Sequence, residues 1–280
     1  VGCSPDLSMT FYRGNRSYNY WDKYDRDVFK KKSINQTNIA STIGGDVSYE
    51  THESATYKSI KITDGSGTIM FDKDVGVDVL IVGGGGAGGT GNPDTNGTTA
   101  GGGGGGGEVK TITGVQLDAG TTYRVTIGSG GSYKGNYGDG DAGYSSLFDT
   151  YEADGGGGGG GDRYTGGSYT STVRGYNGGG GGAYQRSDGS LSDGGTGPIT
   201  GGGYNGGSGT GNGSNRSYGG GGGGSGGDGS SGAATTHTGG NGLANDYWDG
   251  IDICYGGGGG GALTNQSTGD LIMNHGGMLS

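Results

Sequence analysis

The chain has 280 residues, 81 of them glycine, with 27 acidic and 17 basic side chains and a net charge of −10. Three prolines and no G-X-Y period exclude collagen, and the acidic balance, with a pI near 4.6, argues against a nucleic-acid partner. No apolar run approaches the roughly 20 residues that a membrane-spanning helix needs.

Residues 1–58 read as an aromatic-rich arm. Phe11, Tyr12, Tyr18, Tyr20, Trp21, Tyr24 and Phe29 stand among charges that nearly balance, and Lys30-Lys31-Lys32 reads as a solvated turn. An arm of this size is too small for a sizeable core of its own. It is expected to attach the chain to a fibre shaft or to an identical subunit, by adding a strand.

From residue 59 the pattern changes. SIKIT and TIMF predict two short strands, and Val77–Val82 predicts a buried strand that runs into the first glycines. There Gly83, Gly85 and Gly88 satisfy the dinucleotide-binding spacing. That fingerprint requires a following helix to aim its N-terminus at pyrophosphate, and TGNPDTNGTTAGGGGGGG cannot form one. Val109–Leu117 alternates, with Val109, Thr111, Thr113, Val115 and Leu117 expected on one face. Asp118-Ala119-Gly120 predicts a turn, and Tyr123, Val125 and Ile127 predict the inward face of the next strand.

Only seven glycines precede Gly83; the rest gather in runs such as Gly101–Gly107, Gly155–Gly161, Gly178–Gly182, Gly219–Gly224 and Gly256–Gly261. Glycine contributes nothing to an apolar core and loses the most backbone freedom on folding, so such sequence is either disordered or held by its backbone. Thirteen tyrosines between Tyr123 and Tyr255, and the strand patterns above, favour the ordered state. Consecutive glycines can adopt polyproline II geometry, and several such helices can pack so that N–H and Cα–H groups meet neighbouring carbonyls. The expected fold is therefore mostly β and irregular, with almost no α-helix: a small β-layer over 59–280 leading into a lattice of packed polyglycine II helices.

VDVLIVGGGGAGG, then GGGGGGGEVKTITGVQLDAGTTYRVTIGSGG, GDAGYSSLF and the later runs resemble the glycine-rich domains of bacteriophage and prophage tail-fibre proteins and related bacterial surface proteins. The likeness spans Gly65 to about Gly261. It implies a strand entering the first run, a second run leading into a hairpin, and packed polyglycine II helices separated by variable loops. It also implies a receptor-binding adhesin, extracellular or on a virion surface, whose loops meet a host surface glycan or outer-membrane protein. Two departures stand out: the first 60 residues have no counterpart, and the chain ends in HGGMLS without the expected closing apolar strand.

The segments 162–177, 183–199, 204–218 and 228–255 mix Tyr, Ser, Asn, Asp and Arg, a composition suited to adaptable binding loops. The candidate ligand-binding residues are Tyr164, Tyr169, Tyr176, Tyr184, Tyr204, Tyr218, Tyr247 and Trp248; the alternative for each is packing between glycine layers. Cys3 and Cys254 are a possible disulfide, with an intersubunit bond or two free thiols as alternatives. Asn15, Asn35, Asn96, Asn212, Asn215 and Asn265 are possible glycosylation sites.

Enzyme chemistry finds little support. His52, His237 and His275 lack a metal-ligand spacing, and two cysteines cannot build a zinc site. GGSGGDGSS is one unrepeated approximation of a calcium nonapeptide, and Asp139-Gly-Asp141 is another possible oxygen cluster. No cofactor is expected. The leading expectation is thus a non-catalytic fibre adhesin. Its alternatives are a self-assembling extracellular filament subunit joined through the arm, and an ice-binding protein, whose required flatness the Tyr and Asp loops spoil.

Overall fold

Two long paired strands organise the front of the molecule. The computed structural model describes residues 9–12, 41–54, 57–91, 98–132, 135, 138–161, 175–185, 191–193, 202–211, 216–265 and 270–273. Among them there is no helix, hence none long and apolar enough to cross a membrane. β2 (Ser41–Glu53) pairs along its whole length with β3 (Lys58–Phe71), so the predicted boundary at residue 58 falls where the hairpin re-enters its second strand. SIKIT and TIMF, expected as two strands, are halves of the single β3. Gly65 separates them with φ of +88°, and a Cβ there would lie 1.8 Å from the Asp46 carbonyl oxygen. A bulge in β3 itself, where Thr63 is the extra residue opposite the Ser48–Tyr49 step, adds to the bend.

The bend splits the free edge of β3. Its first half pairs with β1 (Met9–Tyr12), which pairs in turn with β4 (Val75–Val82), and β4 pairs with β6 (Val109–Leu117). Its second half pairs with β7 (Thr122–Thr126), followed by β8 (Ser146–Phe148) and β9 (Tyr151–Ala153). The two halves fold over one another, so that β4 touches β8 and β9. Between them lies the apolar core: Ile60, Ile62, Ile69, Phe71, Val77, Val79, Ile81, Val125 and Phe148 are all buried. Burying these side chains fully is worth about 1.5–3 kcal/mol each.

The predicted alternation of Tyr123, Val125 and Ile127 holds, and Gly120 turns with φ of +70°. Two expectations for β6 do not. Its register slips against β4 between Val77 and Val79, where Gly114 takes φ of +70° and donates its amide to Asp78 Oδ1 at 2.8 Å. This bulge reverses the faces: Ile112, Val115 and Leu117 join the core, Thr111 and Thr113 face out, and Val109 packs behind β4 with Leu80, Val82 and Tyr255. Nor do β6 and β7 form the implied hairpin, because each pairs with a different strand of the sheet.

Beyond the sheet the backbone stacks on itself. Gly83, Gly86 and Gly89 donate to the carbonyls of Glu108, Gly105 and Gly102 at 2.8–2.9 Å, while Gly84, Ala87 and Thr90 donate to Tyr144, Asp141 and Gly138 at 2.9–3.1 Å. On a third side, the Gly85 carbonyl accepts from Gly131 at 2.9 Å. The same step of three recurs where Gly157 and Gly160 meet Asn177 and Gly180, and where Gly219, Gly222 and Ser225 meet Ala262, Gly259 and Gly256. Side chains have no room inside: a Cβ on Gly103 would lie 2.1 Å from the Gly259 carbonyl oxygen, and one on Gly180 equally close to that of Gly220.

The runs end, away from the sheet, in short strands. β5 (Thr98–Ala100), β10 (Ala183–Gln185) and β11 (Leu191–Asp193) form one sheet. β12 (Thr210–Gly211), β13 (Arg216–Tyr218), β16 (Ala262–Asn265) and β17 (Asp270–Met273) form another. β17 pairs with β16 just upstream of the terminal HGGMLS. Near the opposite end, β14 (Leu243–Asn245) and β15 (Ile253–Tyr255) make a separate hairpin.

Candidate binding surface

Where the runs emerge from the sheet, several begin or end on a polar residue, and these residues meet. Glu108 closes one run before β6, Asp154 opens another after β9, and Tyr176–Asn177 opens a third. Glu108 is buried. It pairs with Lys110 Nζ at 3.3 Å and accepts the Asp154 amide at 2.9 Å, and Lys110 also donates to the Glu152 carbonyl. Asp154 accepts a hydrogen bond from Ser145 Oγ at 3.4 Å.

Asn177 is the keystone of this rim. Its side chain is fully buried and donates from Nδ2 to Gly106 O at 2.9 Å and to Ser225 Oγ at 3.0 Å. Its Oδ1 accepts the Tyr204 amide at 2.9 Å. That bond draws 203–210 against the neighbouring run and brings Tyr176 and Tyr204 into one electrostatic neighbourhood. Burial, then the Glu108 carboxylate, raises the Tyr176 phenol above its ordinary value, so it remains a neutral hydroxyl. Tyr204 is 40% exposed, and Tyr144, whose carbonyl accepts from Gly84, is 64% exposed. The rim thus offers the exposed rings of Tyr144 and Tyr204 beside the Asp154 carboxylate, the Lys110 ammonium and the Tyr176 phenol, a set of donors and acceptors that matches polyhydroxylated ligands.

A second aromatic group lies on the outer face of the sheet. Trp248 sits 5.8 Å, centroid to centroid, from the ring of His52, which lies equally far from Tyr57. Lys61 Nζ stands 4.7 Å from the Trp248 ring centre and pairs with Glu50 at 3.0 Å. The Tyr247 carbonyl accepts from Ser59 Oγ at 3.0 Å, and its side chain packs on Leu80, Val82 and Tyr255. These bonds tie the β14–β15 hairpin down to the sheet.

Of the eight predicted binding residues, Tyr176 and Tyr204 come together, and Tyr247 and Trp248 form the second group. Tyr218 is only 2% exposed and takes the packing role. Tyr184 lies in β10, its backbone paired with Thr99 and Ser192, while Tyr164 and Tyr169 lie outside the described residues. Much of two predicted loops is stacked backbone: Gly207 donates to Gly221, Gly229 to Asn205 and Gly240 to Gly222. Cys254 is exposed in β15, and Cys3 lies outside the described residues. Among the sequons, Asn265 ends β16, its backbone paired with Arg216 and Asp270; Asn15, Asn35, Asn96, Asn212 and Asn215 lie outside. Phe11 and Tyr12 are in β1; the other arm aromatics, Tyr18, Tyr20, Trp21, Tyr24 and Phe29, lie outside.

Sequence reasoning missed Glu108, Asp154 and Asn177 as site residues. Each is the polar residue at the edge of a glycine run, and that position was a usable signal. Asp139, considered as an oxygen ligand, accepts the Gly161 amide at 2.8 Å. Among the described residues no three His, Cys, Asp or Glu side chains converge as a metal site.

Fold and rim together define a strand-rich protein whose larger part is stacked glycine backbone. The family model described as a glycine-rich domain matches residues 43–278, and the chain belongs to that family. No curated protein and no solved structure matches it.

Proposed function

We propose that this protein is a non-catalytic structural and adhesive protein, extracellular or on a virion surface, most like a receptor-binding adhesin of a phage tail fibre. In this reading the stacked runs are packed polyglycine II helices that serve as a rigid scaffold, and the rim around Tyr144, Tyr176 and Tyr204 meets a host surface glycan. The observation that carries it is the pairing of a scaffold made from backbone with an aromatic and carboxylate rim fixed by the buried Asn177. Rigid placement lowers the entropy lost on binding, which a weak sugar site needs.

The test is a glycan array probed with the full chain, followed by titration of any hit against Tyr204→Ala and Tyr176→Phe chains. Binding that falls about tenfold or more in Tyr204→Ala, the loss of roughly one aromatic stacking contact, supports the proposal. Absence of glycan binding, or binding indifferent to both changes, overturns it. A second reading, the filament subunit, is favoured by a separate observation: a strand of the N-terminal arm, β1, pairs inside the sheet between β3 and β4.

A further inference from the structure

The position of β1 is unusual for an arm. It is not an added edge strand: Met9–Tyr12 pairs with Ser59–Ile62 on one side, and Thr10–Tyr12 pairs with Asp78–Leu80 on the other. Phe11 stands in register with Ile60 and Val79, both buried members of the core. Empty, the slot would leave facing N–H and C=O groups of β3 and β4 unpaired beside apolar side chains, at about 1–3 kcal/mol for each group without a partner. The slot therefore demands a strand.

The connection does not dictate whose strand fills it. β1 and β2 are both antiparallel to β3, yet Tyr12 lies opposite Ser59 while Ser41 lies opposite Phe71. Those two points are separated along β3 by about 40 Å of strand. The 28 residues between Tyr12 and Ser41 reach about 90 Å when extended. That length closes the path within one chain and equally spans to the slot of a neighbour. Exchanging identical strands preserves every bond in the slot, which makes this a low-cost route to assembly.

We infer that the β3–β4 slot is a strand-exchange interface, filled by Met9–Tyr12 of a second copy of this chain. The inference rests on the filament reading only in requiring the arm to join copies; a closed exchanged dimer satisfies it too. It is independent of the glycan rim.

The test uses full-length chains in which Cys3 and Cys254 are replaced by serine. One chain carries Tyr12→Cys, the other Ser59→Cys, two positions in register. Co-refolded and mildly oxidised, they are expected to give a disulfide-linked species of twice the chain mass as the main product on non-reducing gels. A chain carrying both substitutions that closes only an internal disulfide, with no mixed product, shows that each copy keeps its own strand and overturns the inference. Failure of either disulfide to form overturns it as well, since β1 then does not occupy the slot. Thr10→Cys with Lys61→Cys, also in register, repeats the test without touching the buried Ser59. Electron microscopy of the native chain separates the two ideas: cross-copy bonds with discrete dimers retain the exchange and reject the filament.

Discussion

Asn177 and Tyr204, 27 residues apart in sequence, are joined by a 2.9 Å hydrogen bond from the Tyr204 amide to the Asn177 side chain. The same buried amide group holds Gly106 and Ser225 through its nitrogen, so one residue links three separate glycine runs. Asn177→Ala is expected to cost about 2–3 kcal/mol, because it leaves the buried Gly106 carbonyl and the part-buried Tyr204 amide without this partner. Asn177→Asp is expected to cost more, placing an acceptor against the Gly106 carbonyl oxygen. Urea denaturation of the full chain measures both; equal stability of wild type and Asn177→Ala would contradict the assigned role.

Glycines stacked against a neighbouring backbone should tolerate no side chain, whereas glycines that face open space should. Gly103→Ala drives a Cβ to 2.1 Å from a backbone oxygen, while Gly227→Ala meets nothing within 4 Å. The first is expected to destabilise by about 3 kcal/mol or more, or to abolish folding, and the second to stay within about 0.5 kcal/mol. Thermal melts of the two variants decide the matter.

The raised phenol of Tyr176 has a consequence at alkaline pH. Its proton is held more tightly folded than unfolded, so the corresponding stability is fully present below the ordinary tyrosine value, near pH 10, and fades as pH climbs through the higher folded value. Tyr176→Phe is therefore expected to lose stability less steeply than wild type above about pH 10. The measurement is the difference in denaturation midpoint between pH 8 and pH 11 for the two chains. Identical slopes would contradict the assignment.

Lys61 couples the hairpin around Trp248 to the sheet through one cation–π contact and one ion pair. Lys61→Ala is expected to cost about 1 kcal/mol, and Lys61→Arg, which keeps the charge over the ring, much less. In a Trp21→Phe background, the emission of Trp248 should shift to the red in the alanine variant alone.

The buried strand before Gly83, the inward face of β7 and the role of the glycine runs as backbone-held structure were legible because each follows from local pattern. The faces of β6 were not. One glycine at position 114 inserts a bulge that reverses the alternation, and a run of Thr and Val alone does not reveal which residue takes the extra place. The continuity of β3 through Gly65 was hidden for the converse reason: a glycine that reads as a break serves instead as a bend. At the rim, tyrosine composition located Tyr176 and Tyr204 but not the residue that joins them, since the contact of Asn177 with Gly106 depends on how runs 71 residues apart stack.

The same stacking sets how the molecule responds to temperature. Unfolding the glycine region exposes mostly peptide groups, whose hydration lowers the heat capacity, while the small sheet core exposes the apolar surface that raises it. The heat-capacity increment per residue should therefore fall well below the usual 12–15 cal/mol/K, giving a broad, shallow stability curve. A chain held by its backbone forfeits little of its cohesion in the cold, where proteins that depend on apolar cores weaken.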